Sequence, residues 1–221
     1  MKKIIVIAPH PDDETLGCGG SLLRHRTEGD EIHWCIVTAV YTNEGFSQEE
    51  IDREDHEIST VANSYGFSSV HKLGFPTVKL DTIPLVEIIS RISAIIDKVR
   101  PQIVYLPYFG DVHTDHRIVF DAVISSAKWF RCDSIRRLLA YETISETDFG
   151  MNPAKGFEPN VFIDVSEFLD RKIAIMEIYG GQMGDFPFPR SEQAIRALAS
   201  LRGATSGCAA AEAFVLLKEI L

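Results

Sequence analysis

Residues 10–14 read His-Pro-Asp-Asp-Glu, so one imidazole and three carboxylates stand directly behind an apolar run, followed by the glycines of GCGG at 17–20. A second segment, GDVHTDH at 110–116, adds His113, Asp115 and His116. Imidazole nitrogen and carboxylate oxygen together suit zinc, iron(II) or another divalent first-row metal. A catalytic zinc takes three protein ligands and keeps a position open for water. Two histidines and one carboxylate supply those three and leave other acids nearby for proton transfer. Each segment alone has an ordinary explanation, because histidines near strand ends are commonly hydrogen-bonded structure and adjacent acids commonly cap helices. Glu14 and Thr15 fit that capping role, since acids are stabilised at a helix N-terminus. The pairing of the two segments is what favours a cation site.

Both segments follow runs that read as strands. Residues 2–8, KKIIVIA, are continuous and apolar, as in a parallel strand buried on both faces. Residues 15–28 read as a helix opened by Thr15 and ended by Gly29-Asp30, and 31–40 as a second strand rich in β-branched and aromatic residues. Ser47 with Glu50 three places on is a capping box that starts a helix over 47–65. SVHKLGF is a third strand, 83–99 a helix, 102–107 a fourth strand, and a helix follows from Thr114 to about Phe130. This alternation predicts an α/β fold, a Rossmann-like and mostly parallel sheet flanked by helices, in which ligands sit beyond the carboxyl ends of the strands. Beyond residue 135 the pattern is less regular. RRLLAYETI and NVFIDV read as strands, 166–180 and 190–202 as helices, and this half is expected to form a C-terminal cap region on one domain spanning 1–221.

The bulk properties exclude several classes. With 45% apolar residues in 221, the chain has ample material for a core. A net charge of −10 and no basic run speak against nucleic acid as a partner. The apolar run near the start is too short for a signal peptide or a transmembrane segment, so a cytoplasmic protein is expected. Cys18, Cys35, Cys132 and Cys208 form no C-x-x-C pair, which points away from a disulfide framework or a thiolate metal site. GCGG is not a dinucleotide fingerprint, because Leu22 stands where the last glycine would be needed, and the preceding acids would repel a pyrophosphate. Close packing of helix and loop explains the glycines better. His25, His33, His56 and His71 lack partner acids at ligand spacing and read as structural, and Cys18 reads as a small buried residue.

PHPDDE near the N-terminus with HTDH farther on resembles the PIG-L/LmbE-like family of zinc-dependent N-deacetylases. The likeness extends to VTAVYTNEG, REDHEISTVANSYGF, FEPNVFIDVSEFLDRKIAIMEIYGGQ and AEAF at 211–214, and so covers nearly the whole chain. The resemblance implies His10, Asp13 and His116 as metal ligands and Asp12 as the general base that takes a proton from the nucleophilic water. It implies that protonated His113 stabilises the oxyanion and that Asp115 lies behind a histidine and orients it. It also implies N-acetylated amino sugars or their conjugates as substrates, and assembly into a homo-oligomer. Adjacent carboxylates cannot serve one function from one direction, so Asp13 on the cation leaves Asp12 free for the water, and Asp115 would favour a charged His113.

Two departures stand out. Gly181 replaces the family's usual serine before glutamine, and Arg53 and Glu57 are four apart where three is expected. Arg53 is a candidate substrate contact, and an ion pair across one helical turn accounts for the same spacing. Residues 181–190, GQMGDFPFPR, read as a loop over the site. The leading reading is a metal-dependent hydrolase acting on an N-acetylglucosamine-type sugar. Its alternatives are a metal-dependent amidase on another small acylated amine, a non-haem iron oxygenase on ligand type alone, and a non-catalytic sugar-binding protein. Asp12 and His113 together speak for turnover and for hydrolysis.

Overall fold

A computed structural model describes the backbone of residues 1–221 and every side chain except that of residue 153. The apolar runs form strands β1 (Lys3–Ala8), β2 (Glu31–Ala39), β3 (Ser69–Pro76), β4 (Ile103–Pro107), β5 (Arg137–Tyr141), β6 (Val161–Asp164) and β7 (Ala211–Glu219). They make one sheet in the order β3-β2-β1-β4-β5-β7-β6. The first five strands run parallel, and β7 is antiparallel to both of its neighbours. Helices α1 (Asp13–Thr27), α2 (Gln48–Tyr65), α3 (Leu85–Val99), α4 (Thr114–Ser126), α5 (Leu169–Met176) and α6 (Glu192–Ser206) cover the two faces. Among the described residues no helix is long and apolar enough to cross a membrane.

The continuous apolar character of β1 follows from two cores. Ile4, Val6 and Ala8 face α1, α2, α5 and α6, while Ile5 and Ile7 face α3 and α4. From β1 the chain moves outward to β2 and β3, then crosses to β4 on the other side of β1. The strand order therefore reverses between β1 and β4, which opens a crevice beyond their carboxyl ends. Both chemistry-bearing segments emerge at that point.

The C-terminal half covers the domain from within the sheet. β5, β7 and β6 extend it, while α5 and α6 lie on the face that also carries α1. The capping box at Ser47 is formed as its spacing predicts, with Glu50 closing it. Helix α4 stops at Ser126 rather than near Phe130, because the chain turns to bury Cys132 and Ile135 on its way to β5. All four cysteines are free.

Helix α1 begins two residues before the expected start. The carbonyl of Asp12 accepts from the backbone N–H groups of Thr15 (3.0 Å) and Leu16 (2.9 Å), which makes Asp12 the N-cap. The helix kinks at Cys18, where φ is −145° and ψ 21°. The kink frees the next amides, and buried Glu212 of β7 accepts from the backbone N–H of Gly20 (2.9 Å) and Ser21 (2.7 Å). Lys172 of α5 closes the network, donating to Glu212 (2.6 Å) and to the carbonyl of Leu16 (2.8 Å). A charged pair so deep in a fold is tolerated only because every partner is supplied. The glycines allow this close approach: a Cβ at Gly17 would lie 2.6 Å from Cγ of Tyr141, and one at Gly20 would lie 2.7 Å from Cβ of Val165.

Gly17→Ala therefore destabilises the fold by about 1–3 kcal/mol through overpacking against the Tyr141 ring, despite alanine's better helix propensity, and so lowers the urea midpoint. An unchanged or higher midpoint contradicts the close-packing role.

Candidate active site

Three donor atoms meet at the switch point. Asp13 Oδ2 lies 3.3 Å from His10 Nδ1 and 3.3 Å from His116 Nε2. His10 and Asp13 sit at the β1–α1 junction and His116 in the first turn of α4, after β4. A tetrahedral ion with bonds of roughly 2.0–2.1 Å has ligand atoms about 3.3–3.4 Å apart, so the donor spacing fits a zinc-sized cation. The donor types fit as well, two borderline nitrogens and a hard oxygen.

The second nitrogen of each imidazole faces a carboxylate. His116 Nδ1 is 2.8 Å from Asp111 Oδ2, and His10 Nε2 is 3.2 Å from Asp115 Oδ2. Such outer carboxylates fix the tautomer that leaves the inner nitrogen free for a cation. Asp111 is itself held by the Thr147 hydroxyl at 2.6 Å. Asp115 accepts from the backbone N–H groups of Val78 (2.8 Å) and Leu80 (3.2 Å). Asp115 stands behind His10, and its carboxylate makes no hydrogen bond to His113. A second grouping of His10, His113 and Asp115 also has close donors, but the Asp115 carboxylate there is already committed to backbone amides. A third, of His25, Glu28 and Asp30, lies at the far end of α1, where His25 is engaged by Asp30 and Tyr105.

The charge states follow from this geometry. Burial opposes a charge on His10, but hydrogen bonds to Asp115 and Asp13 outweigh it, and its pKa rises to about 9. Burial likewise disfavours the charged forms of His116 and Asp13, and is overcome by their mutual attraction. His116 rises well above the usual histidine range, and Asp13 falls below the usual carboxylate range.

Asp12 lies beside this cluster, 4% exposed, with its backbone in the left-handed region at φ 121°. A non-glycine residue there is strained, which costs on the order of 1–3 kcal/mol and is characteristic of functional positions. Glu14 holds the strained turn. It accepts from the Asp12 backbone N–H (3.1 Å), the Thr15 hydroxyl (2.6 Å) and the Tyr179 hydroxyl (2.8 Å). The capping expected of Glu14 and Thr15 falls instead to the Asp12 backbone, which Glu14 braces. Burial, then the negative charge of Asp13, push the pKa of Asp12 well above the ordinary carboxylate range, opposed by Arg190. Arg190 Nη1 lies 3.4 Å from Asp12 Oδ2.

These groups line a cavity of about 340 Å³ together with Thr143, Glu146, Glu54 and Gln182. The 181–190 loop contributes Gln182 and Arg190 to its wall. His113 lines it as well, its ring 4.6 Å from that of His10. Arg53 does not: it is 59% exposed and faces Glu57 at 3.9 Å, while its neighbour Glu54 turns inward. His25, His33, His56 and His71 lie away from the cavity. Asp111, Arg190, Thr143 and Glu146 are not singled out by the sequence. Of these, only Asp111 carries a local signal, as the acid that opens the second histidine segment.

Residues 5–127 match the family model described as GlcNAc-PI de-N-acetylase, PIG-L. The diacetylchitobiose deacetylase of Thermococcus kodakarensis is 28% identical over 224 residues, covering 94% of this chain and 80% of that protein. The 1D-myo-inositol 2-acetamido-2-deoxy-alpha-D-glucopyranoside deacetylase of Mycobacteroides abscessus is 28% identical over 161 residues, covering 58% of this chain and 57% of that one. The crystal structure of the conserved protein TT1542 from Thermus thermophilus superposes with a TM-score of 0.79 at 26% identity, covering 100% of this chain and 97% of that one. The family model spans more than half of the sequence and includes both histidine segments, and the fold agrees along its whole length: this chain belongs to the PIG-L family.

Proposed function

We propose that this protein is a hydrolase that removes the acetyl group from the nitrogen of an N-acetylglucosamine-type sugar or conjugate. It works with a divalent first-row cation, zinc before iron(II), held by His10, Asp13 and His116. The observation that carries the reading is the Asp13 carboxylate oxygen 3.3 Å from a nitrogen of His10 and of His116, beside buried Asp12, in one cavity. The relatives support the substrate class, since one acts on diacetylchitobiose and another on a 2-acetamido-2-deoxy-glucopyranoside.

A divalent cation at this position lowers the pKa of water toward 7 and polarises an amide carbonyl. Asp12 is the base: it is next to the cation ligands without being one of them, and its strained backbone aims the carboxylate into the cavity. Its raised affinity for protons suits a group that takes a proton from the attacking water and returns it to the leaving amine. Arg190 holds the Asp12 carboxylate from the other side.

For His113 the geometry supports a different charge state from the imidazolium expected from sequence. Its Nδ1 accepts the backbone N–H of Asp115 at 3.1 Å, so a neutral ring carries its proton on Nε2. Burial, with the neighbouring charges of His10 and His116, pushes its pKa down to about 4. His113 therefore acts as a neutral Nε2–H donor to the developing oxyanion at neutral pH, and the proton it takes up as pH falls through about 4 goes to Nδ1, where it ends the acceptance from the Asp115 amide. Losing such a donor typically costs about 100-fold or more in rate.

Acetate release from a panel of N-acetylated sugars tests the reading: it is abolished by a chelator and restored by zinc. No release from the folded, zinc-loaded chain contradicts it. Asp12→Asn retains the metal, since Asp12 is not among the three ligands and asparagine has the same shape, and loses about 100-fold or more in kcat. Unchanged turnover removes Asp12 from the base role. In the metal-free protein, ring nitrogen shifts show His113 neutral from pH 5 upward and titrating near 4, while His10 keeps its proton until about 9. A charged His113 at pH 7 overturns the neutral-donor assignment.

A further inference from the structure

The chain leaves β5 at Tyr141 and makes a tight turn over residues 143–147 on the cavity wall. The Thr143 carbonyl accepts from the backbone N–H groups of Glu146 (3.0 Å) and Thr147 (2.9 Å). The Thr147 hydroxyl accepts from the Thr143 backbone N–H at 2.8 Å and donates to Asp111 at 2.6 Å. Ser145 sits at φ 78°, a strained conformation for a residue with a side chain. The turn is thus rigid, and tied to the residue that orients His116.

Three polar groups on this rigid turn have nothing to bond, the Ser145 hydroxyl and two that border the cavity. Thr143 is fully buried at 0% exposure and borders the cavity, yet its hydroxyl has no hydrogen-bond partner. Glu146 lines the same cavity, and its Oε2 is shielded from solvent and equally unpartnered. Buried polar atoms are nearly always satisfied, so orphans that face a cavity mark the place of a ligand's polar groups.

The lining charges narrow the ligand. Arg190 faces Asp12 through Nη1 while its Nε is left as a further unpartnered donor for a hydroxyl oxygen, and Asp13 lies between two imidazoles. Glu54 and Glu146 have no cationic side chain as partner. Burial raises the pKa of both. Protonated or not, a glutamate offers an acceptor oxygen to a hydroxyl group, and when ionised it repels a phosphate or carboxylate.

We propose that the 143–147 turn is a hydroxyl-reading subsite, in which Thr143 and Glu146 bind ring hydroxyls of a neutral amino sugar and anionic sugar conjugates are rejected. The inference rests on the sugar-deacetylase reading and adds to it which sugars fit.

Calorimetric titration of the zinc-loaded full chain tests it, in the His113→Ala background, where turnover is slowed while Asp12 still faces Arg190. N-acetylglucosamine binds, and its 6-phosphate binds at least about tenfold more weakly. Thr143→Val and Glu146→Gln each weaken the neutral sugar about tenfold with zinc content unchanged, and Thr143→Ser recovers most of the loss. Equal or tighter binding of the phosphate overturns the proposal. So does affinity within twofold of the parent in both Thr143→Val and Glu146→Gln, loss of zinc together with affinity, or a parent chain that binds no sugar. The comparison of neutral and phosphorylated sugar needs no further variant, so it stands even where a substituted turn fails to fold. Sugar binding of the expected kind by a chain that releases no acetate contradicts the deacetylase reading and supports the subsite.

Discussion

The Asp13 carboxylate, with an imidazole nitrogen 3.3 Å away on either side, is the contact on which the rest of this molecule turns. One imidazole comes from the end of β1 and the other from the start of α4, so the spacing holds only while two distant segments keep their register. The parallel pairing of β1 with β4 sets that register, and the reversal of strand order there leaves the space into which the donors point. Three buried groups of like and unlike charge would drift apart in an unbraced loop. Here Asp111 and Asp115 hold the outer faces of the imidazoles, and backbone amides hold Asp115.

The C-terminal half serves this arrangement from behind. Tyr179 bonds Glu14, which holds the backbone of Asp12 in its strained conformation. Glu212 and Lys172 brace the kinked α1, whose first turn carries Asp13. The same half supplies chemistry directly, since Arg190 reaches Asp12 and the 143–147 turn lines the cavity while anchoring Asp111. The cavity wall and the brace on His116 thus share one rigid piece of backbone.

Much of this is legible in the sequence, for physical reasons. β1 and β2 announce themselves because strands buried on both faces are continuously apolar, and Ser47 with Glu50 because a capping box is a local interaction. His10, Asp13 and His116 fall in two short segments because each strand end can present several side chains to one point. Groups that arrive by tertiary routes leave no such trace. Arg190 and Thr143 reach the cavity through loops whose paths depend on the packing of α5, α6 and β5. Strand β7 is hidden because Glu212 interrupts its apolar run, and only the amides freed by the kink at Cys18 explain an acid there. Arg53 has a suitable residue type, but the α2 register points it outward and turns Glu54 in. The charge on His113 cannot be read from its sequence distance to Asp115, which says nothing of which atom does the bonding: the backbone amide reaches the ring, and the carboxylate goes to His10.

The most direct measurement is X-ray absorption at the zinc edge on the stoichiometrically loaded protein, with His10→Ala and His116→Ala alongside. The account predicts a four-coordinate ion with two imidazole nitrogens and oxygen ligands at about 2.0–2.1 Å, and one imidazole fewer in each variant. Sulfur scattering, or an imidazole count that neither substitution changes, would contradict it, because the cation would then be held somewhere other than between His10, Asp13 and His116.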